Sequence, residues 1–161
     1  MQRQVCEICN KNKTSLRCDS CGDASCKTCV EFIDEDHIEF VVLLPEDLKN
    51  KTFCSNCYNQ GIDERLIRYR VIAEQAKDVD VFGKKQTKET RRIKRIEEPL
   101  KVTDCEDREE ALLRLAFMAA DKGFKTIVDV DVISKKIGEG KSYKKLVWSG
   151  YAVPVDPEIK K

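Results

Sequence analysis

Long apolar runs are missing from this chain. No stretch comes near the roughly 20 apolar residues that a membrane-spanning helix needs, which excludes an integral helical membrane protein. The first ten residues, MQRQVCEICN, lack the apolar segment of a secretory signal, so a cytoplasmic location is expected. A charge of one sign is missing too. The 161 residues carry 30 Lys and Arg against 29 Asp and Glu, a net +1, so any nucleic-acid contact has to come from a local patch. Histidine is nearly absent, with His37 alone. No set of nucleophile, base and orienting group can be assembled around it, and the expectation is that the chain is not an enzyme.

Cysteine is what the sequence has in quantity. Nine occur, and eight fall within the first 57 positions. An odd total with no export signal argues for a reducing compartment and for metal ligation over a disulfide framework. The eight form four Cys-x-x-Cys pairs: Cys6 and Cys9, Cys18 and Cys21, Cys26 and Cys29, Cys54 and Cys57. Zinc takes four thiolates in a tetrahedron at about 2.3 Å, and a site whose four positions are all protein ligands is structural. Four pairs therefore fill two closed sites, and two Zn²⁺ ions are expected. Sequential pairing joins Cys6 and Cys9 with Cys18 and Cys21. Interleaved pairing joins Cys6, Cys9, Cys26 and Cys29, and separately Cys18, Cys21, Cys54 and Cys57; the spacing leaves both open. Apolar sequence is scarce in this part. Its longest stretch, Ile38 to Leu44 broken by Glu39, reads as a strand, and the metal has to supply the folding free energy that so small a core lacks.

The expected fold class is α+β, in three parts: a zinc-stabilised finger over 1–60, a helix and basic connection over 61–100, and a small α/β sandwich over 101–161. Residues 58 to about 77 read as helix, with Ile62, Leu66, Ile67, Val71 and Ile72 at helical spacing. Thr103 with Glu106, or Asp104, is a candidate cap for a helix from about 105 to 122. Leu112, Leu115, Ala116 and Ala119 mark its inner face, Leu113 and Phe117 widen it, and Gly123 stops it. Ile127 to Ile133 reads as a strand, Gly138 and Gly140 as a turn, and 142–155 as the returning strand. That hairpin needs further strands, from 86–102 or from another copy.

Outside the cysteine pairs, the basic stretch 83–95 offers Lys84, Lys85, Lys88, Arg91, Arg92, Lys94 and Arg95 as contacts for nucleic-acid phosphate or anionic lipid, or is a solvated connection. No aromatic residue interleaves with it to stack on bases. Cys105, near the expected helix start, is a free thiol whose pKa the helix dipole would lower. Asp129 and Asp131 alternate with valines, as a solvent-facing strand edge or as a carboxylate pair for acid/base work or a hard cation. Trp148 and Tyr151 suit packing or a subunit interface. Glu31, Asp34, Glu35 and Asp36 form a solvated loop or a contact for a basic partner.

Two resemblances add to these readings. The run CDSCGDASCKTC at 18–29, FCSNCY at 53–58 and Leu44-Pro45 between them resemble FYVE zinc fingers over residues 5–60. The resemblance implies interleaved ligation, small β-hairpins and a terminal helix. Members that bind phosphatidylinositol 3-phosphate carry a basic RRHHCR-like motif before the second pair and a WxxD element ahead of the first. Here TSLRC leaves only Arg17, and no WxxD stands before Cys6. RING fingers share the cross-brace, but with a histidine in the ligand series, and His37 lies outside every pair. Residues 1–60 hold seven Lys and Arg against ten Asp and Glu. With eight thiolates on two Zn²⁺ the formal charge is about −7, which opposes docking on anionic lipid. In the second half, DREEALLRLAFMAADKGFKTIVDVDV and SGYAVPV resemble the bacterial heavy-metal-binding domain family of pentameric α/β units. That implies the fold and self-association; no Cys or His cluster there offers a soft metal site. The expected function is that of a non-catalytic scaffold, a zinc module with a protein partner displayed on a self-associating domain. Nucleic-acid binding through 84–95 and phosphoinositide binding by the finger are the alternatives.

Overall fold

A computed structural model describes residues 5–11, 13–33, 43–95, 97–139 and 143–156. Contacts divide the chain into two units, Met1–Val71 and Ile72–Lys161. Both α and β elements are present, in an α+β arrangement. Among the described residues no helix is long and apolar enough to cross a membrane.

The first unit is built from very short strands. β1 (Leu16–Arg17) pairs antiparallel with β2 (Ala24–Ser25), and β3 (Val30–Phe32) with β4 (Thr52–Cys54). A helical turn, α1 (Ser55–Cys57), and a π-helical turn over Tyr58–Ile62 follow, kinked at Gly61. Helix α2 (Asp63–Lys77) then runs through the division between the units. Its buried residues are Leu66, Tyr69, Ile72, Ala73 and Ala76, while Ile67 and Val71 are half exposed. The helical spacing is therefore real, but Tyr69 and the two alanines complete the inner stripe in place of Ile67 and Val71. The expected strand at 38–44 falls mostly outside the described residues, as do His37, Asp34, Glu35 and Asp36. Leu43 and Leu44 are described and are not in a strand; Leu44 is buried.

The second unit holds a four-stranded sheet in the order β5-β7-β8-β6, comprising β5 (Asp80–Gly83), β6 (Leu100–Cys105), β7 (Thr126–Glu139) and β8 (Tyr143–Val155). β5 runs parallel to β7, and the other pairings are antiparallel. The extra strands that the hairpin requires thus come from the same chain. Residues 72–100, which lie within the expected helix and basic connection over 61–100, belong to this unit and supply an edge strand, the short helix α3 (Thr87–Thr90) and part of the core.

Helix α4 (Arg108–Asp121) covers one face of the sheet. Its cap is Asp107, whose Oδ1 accepts from the Glu110 N–H at 2.7 Å. Thr103 and Asp104 have similar spacing but are taken up by β6, which buries Leu100, Val102 and Cys105. A bulge between Val102 and Cys105, with Asp104 at φ 58°, turns Cys105 to the buried side. Cys105 is therefore a strand residue 1 % exposed, and burial raises its pKa. At the other end Gly123 (φ 84°) and Phe124 donate to the Ala120 and Ala119 carbonyls, closing the helix with a Schellman motif.

The inner face of α4 is mostly alanine: Ala111, Leu115, Ala116, Ala119 and Ala120 are buried, with Leu112, Phe117 and Met118 packed at the margin. Small side chains let the helix lie close to β8. A Cβ placed on Gly150 would stand 2.9 Å from Leu115 Cδ1 and 3.0 Å from Val102 Cγ2. Gly150→Ala is expected to destabilise this unit by about 1–3 kcal/mol through overpacking, measured as a lower urea midpoint. Trp148 packs against the same core.

A second bulge lies in β7 between Val128 and Asp131, with Asp129 at φ 55°. It lets Ile127 and Val130 face α4, while Val128 joins Val153 and Val155 on the opposite face under Phe82 and Ile93. Asp129 and Asp131 are thus not a simple solvent-facing alternation. Arg95 pairs with Asp129 through Nε and through Nη2 at 2.9 Å, and its Nη1 donates to the Thr90 and Ile93 carbonyls at 3.1 and 2.8 Å. This fastens 90–95 to the sheet. The Arg95 guanidinium beside Asp129 holds its carboxyl below the usual range. A depressed native pKa stabilises the fold above the unfolded value near 4 and is lost as pH falls through the native pKa. Wild-type protein is expected to lose about 1 kcal/mol more than Asp129→Asn between pH 7 and pH 3, read from urea titrations at both pH values.

Candidate metal centres

The eight N-terminal cysteines gather into two quartets. Cys6, Cys9, Cys26 and Cys29 form one; Cys18, Cys21, Cys54 and Cys57 form the other; within each, all sulfurs lie within 4.8 Å of one another. The grouping is interleaved along the chain. None of these cysteines is joined in a disulfide.

The two quartets are built alike. Cys6 and Cys9 sit on a tight turn in which the Asn10 N–H donates to the Cys6 carbonyl at 2.8 Å; at Cys18 and Cys21 the Gly22 N–H donates to the Cys18 carbonyl at 2.9 Å. Both turns close on a left-handed residue, Asn10 at φ 55° and Gly22 at φ 82°. Glycine and asparagine are the residues that adopt this conformation most readily. The residue after each first cysteine then ties the turn to a distant strand. Glu7 N–H donates to the Ala24 carbonyl at 3.0 Å, and Asp19 N–H to the Thr52 carbonyl at 2.8 Å. Ala24 stands two residues before Cys26, and Thr52 two before Cys54. The same bond, made twice, delivers the third sulfur of each quartet. Asp19 adds a side-chain bond, its Oδ2 accepting from the Thr52 N–H at 2.7 Å.

Electrostatics repeat as well. The Cys6 thiol is held below its ordinary pKa by the Cys9 N–H first, against burial, with help from the Cys26 and Ile8 N–H groups. For Cys18, burial acts upward, yet the N–H groups of Cys21, Cys54 and Ser20 bring it down to about 6. The Cys29 thiol is pushed up to about 12, chiefly by its hydrogen bond with the Cys26 side chain. Sulfurs this close cannot all ionise side by side unless a cation neutralises them.

The sulfur spacing fits such a cation. Cys9 Sγ lies 3.8 Å from Cys26 Sγ, and Cys21 Sγ lies 3.8 Å from Cys54 Sγ. A tetrahedron of thiolates at 2.3 Å from a central metal has edges of about 3.8 Å, whereas a disulfide needs about 2.05 Å. Each quartet can hold one metal ion with four protein ligands and no vacant position.

The basic residues singled out from sequence are placed less uniformly. Lys84 pairs with Asp131 at 3.5 Å and Arg95 is engaged by Asp129, so neither is a free cation. Lys85, Lys88, Arg91, Arg92 and Lys94 are exposed. Arg17 donates from Nη1 to the Gly22 carbonyl at 3.3 Å, which ties it to the second knuckle. The parts of the site that sequence reasoning misses are Glu7, Asn10, Asp19 and Thr52, which work through their backbones, Asp19 through its carboxylate as well; only the shared position of Asn10 and Gly22 after a Cys-x-x-Cys pair gives a signal. Compared with family models, with curated proteins and with solved structures, the chain matches none.

Proposed function

We propose that this is a non-catalytic interaction protein whose first unit is organised by two structural Zn²⁺ ions and carried, as on a scaffold, by the α/β unit that follows. The observation that supports this most strongly is the gathering of four cysteine sulfurs within 4.8 Å of one another in each quartet, with one pair in each at 3.8 Å. Zinc with four thiolates has no place for water or substrate, so it stabilises a fold and does not activate a ligand. Interleaved ligation, the hairpins β1–β2 and β3–β4 and the helical turns after Cys57 support a FYVE-like finger. The lipid-binding motif is missing from it, and Phe32, Ile67 and Val71 present exposed apolar side chains that favour a protein partner.

Cobalt substitution tests this reading. A Co²⁺-loaded protein is expected to show the intense sulfur-to-cobalt and d–d bands of two tetrahedral CoS₄ centres per chain. Millimolar cyanide should leave them unchanged. Bands that shift with cyanide would reveal an open position and overturn the structural assignment.

A further inference from the structure

The β7–β8 hairpin outruns its neighbours. β5 pairs with β7 no further than Val130, and β6 with β8 no nearer the tip than Trp148. β7 and β8 remain paired out to Glu139↔Tyr143. Beyond Ser134 the hairpin is thus, among the described residues, a two-stranded ribbon with no strand on either edge. Lys135, Lys136, Ile137 and Gly138 on one strand are exposed, as are Lys144, Lys145 and Leu146 on the other.

Its register distributes charge evenly. Lys135 stands opposite Val147, Lys136 opposite Leu146, Lys145 opposite Ile137 and Lys144 opposite Gly138. Each of four successive rungs carries one lysine, and no lysine faces another. Because strand residues alternate between faces, Lys135 and Lys145 share one face while Lys136 and Lys144 share the other. Among the described residues none of the four has an ion-pair partner. Asp104 lines a shallow depression with Ile137, Lys145 and Val147, and its carboxylate accepts from the Thr103 hydroxyl at 2.9 Å.

We propose that this ribbon binds double-stranded DNA, entering the major groove and meeting phosphates with Lys135, Lys136, Lys144 and Lys145. A flat membrane or a protein surface reaches one face of a ribbon, whereas a groove surrounds it, and here both faces are charged. The major groove, about 12 Å wide, admits a two-stranded ribbon. Five rungs at about 3.4 Å span about 17 Å, half a helical turn of duplex. Ile137 and Leu146 supply apolar contacts of the kind that suit thymine methyl groups. The segment 84–95 is a poorer candidate: Lys84 and Arg95 are neutralised by Asp131 and Asp129, and Ile93 is packed on the sheet.

Fluorescence anisotropy of the zinc-loaded 161-residue chain with a labelled 20-base-pair duplex tests the proposal. Binding at 50 mM salt is expected to weaken about a hundredfold by 200 mM, as four phosphate contacts require. Replacing all four lysines by glutamine should lower affinity at 50 mM by at least about tenfold, with zinc content and circular dichroism unchanged. Lys136→Gln alone should reduce the log–log salt slope by about 0.9. The proposal is overturned if no duplex binds at 50 mM salt, or if the fourfold variant binds like wild type. It is equally overturned if Lys85, Lys88, Arg91 and Arg92 changed together to glutamine cost as much, or if phosphatidylserine vesicles bind the chain more tightly than duplex does.

Discussion

Stripping the metal from the 161-residue chain is expected to unfold the strands β1–β4 and the cysteine turns and to leave the sheet β5-β7-β8-β6 intact. The first unit has strands of two or three residues and a small apolar core, chiefly Val30, Ile33, Leu44, Leu48, Phe53 and Leu66. Four of its most buried side chains are the ligands Cys6, Cys18, Cys26 and Cys54. A structural zinc contributes about 10–16 kcal/mol of apparent binding free energy near pH 7. Whole domains are stable by only about 5–15 kcal/mol, so this unit has no reserve that could replace two such ions. Amide NMR spectra recorded before and after a strong chelator check the expectation. Signals from the first unit should collapse to the unfolded range, and those of α4, β7 and β8 should stay. Cys18→Ser should lower the metal content from two ions to one and disorder the β4 end of the unit. An unchanged spectrum after complete metal removal would refute the structural role.

Leu115→Ala is the second large effect, and it falls on the other unit. Leu115 lies fully buried on the inner face of α4, its Cδ1 against Gly150 of β8 and Val102 in the same cluster. Truncation leaves a cavity that the surrounding backbone cannot fill, at a cost of about 2–5 kcal/mol. For a unit of this size the thermal midpoint should fall by roughly 10–40 °C. Calorimetry should show the loss in the transition of the second unit, while the chain still holds two metal ions. A midpoint within 2–3 °C of wild type would mean that the helix does not pack as described.

These two sites differ in how far they can be read from the residues alone. The eight ligands are legible because Cys-x-x-Cys is a local device: the two intervening residues build the turn, and Gly22 marks its left-handed close. The pairing is not legible, because either grouping satisfies the spacing. What decides it is a pair of long-range backbone bonds, Glu7 to Ala24 and Asp19 to Thr52, and backbone groups carry no residue signature. In the second unit, α4 and the β7–β8 hairpin follow from the Ala/Leu stripe and the run of β-branched residues. The bulges do not, since Asp104 and Asp129 are non-glycine residues at positive φ. Each shifts the inside-outside alternation by one, which is why Cys105 is buried and why Asp129 meets Arg95. The misplaced start of α4 has a related cause. Thr103-x-x-Glu106 and Asp107-x-x-Glu110 are equivalent as caps, and the burial of Val102 and Cys105 in β6 decides between them.

Each four-cysteine site draws its ligands from alternate Cys-x-x-Cys pairs, and this interleaving is open to direct measurement. Cadmium-113 substitution followed by proton–cadmium correlation NMR tests it most directly, because each cysteine Hβ couples only to the ion its own sulfur holds. Two cadmium resonances in the range of four-thiolate coordination are predicted. One should correlate with Cys6, Cys9, Cys26 and Cys29, the other with Cys18, Cys21, Cys54 and Cys57. Correlations joining Cys6 and Cys9 with Cys18 and Cys21, or a single resonance per chain, would contradict it.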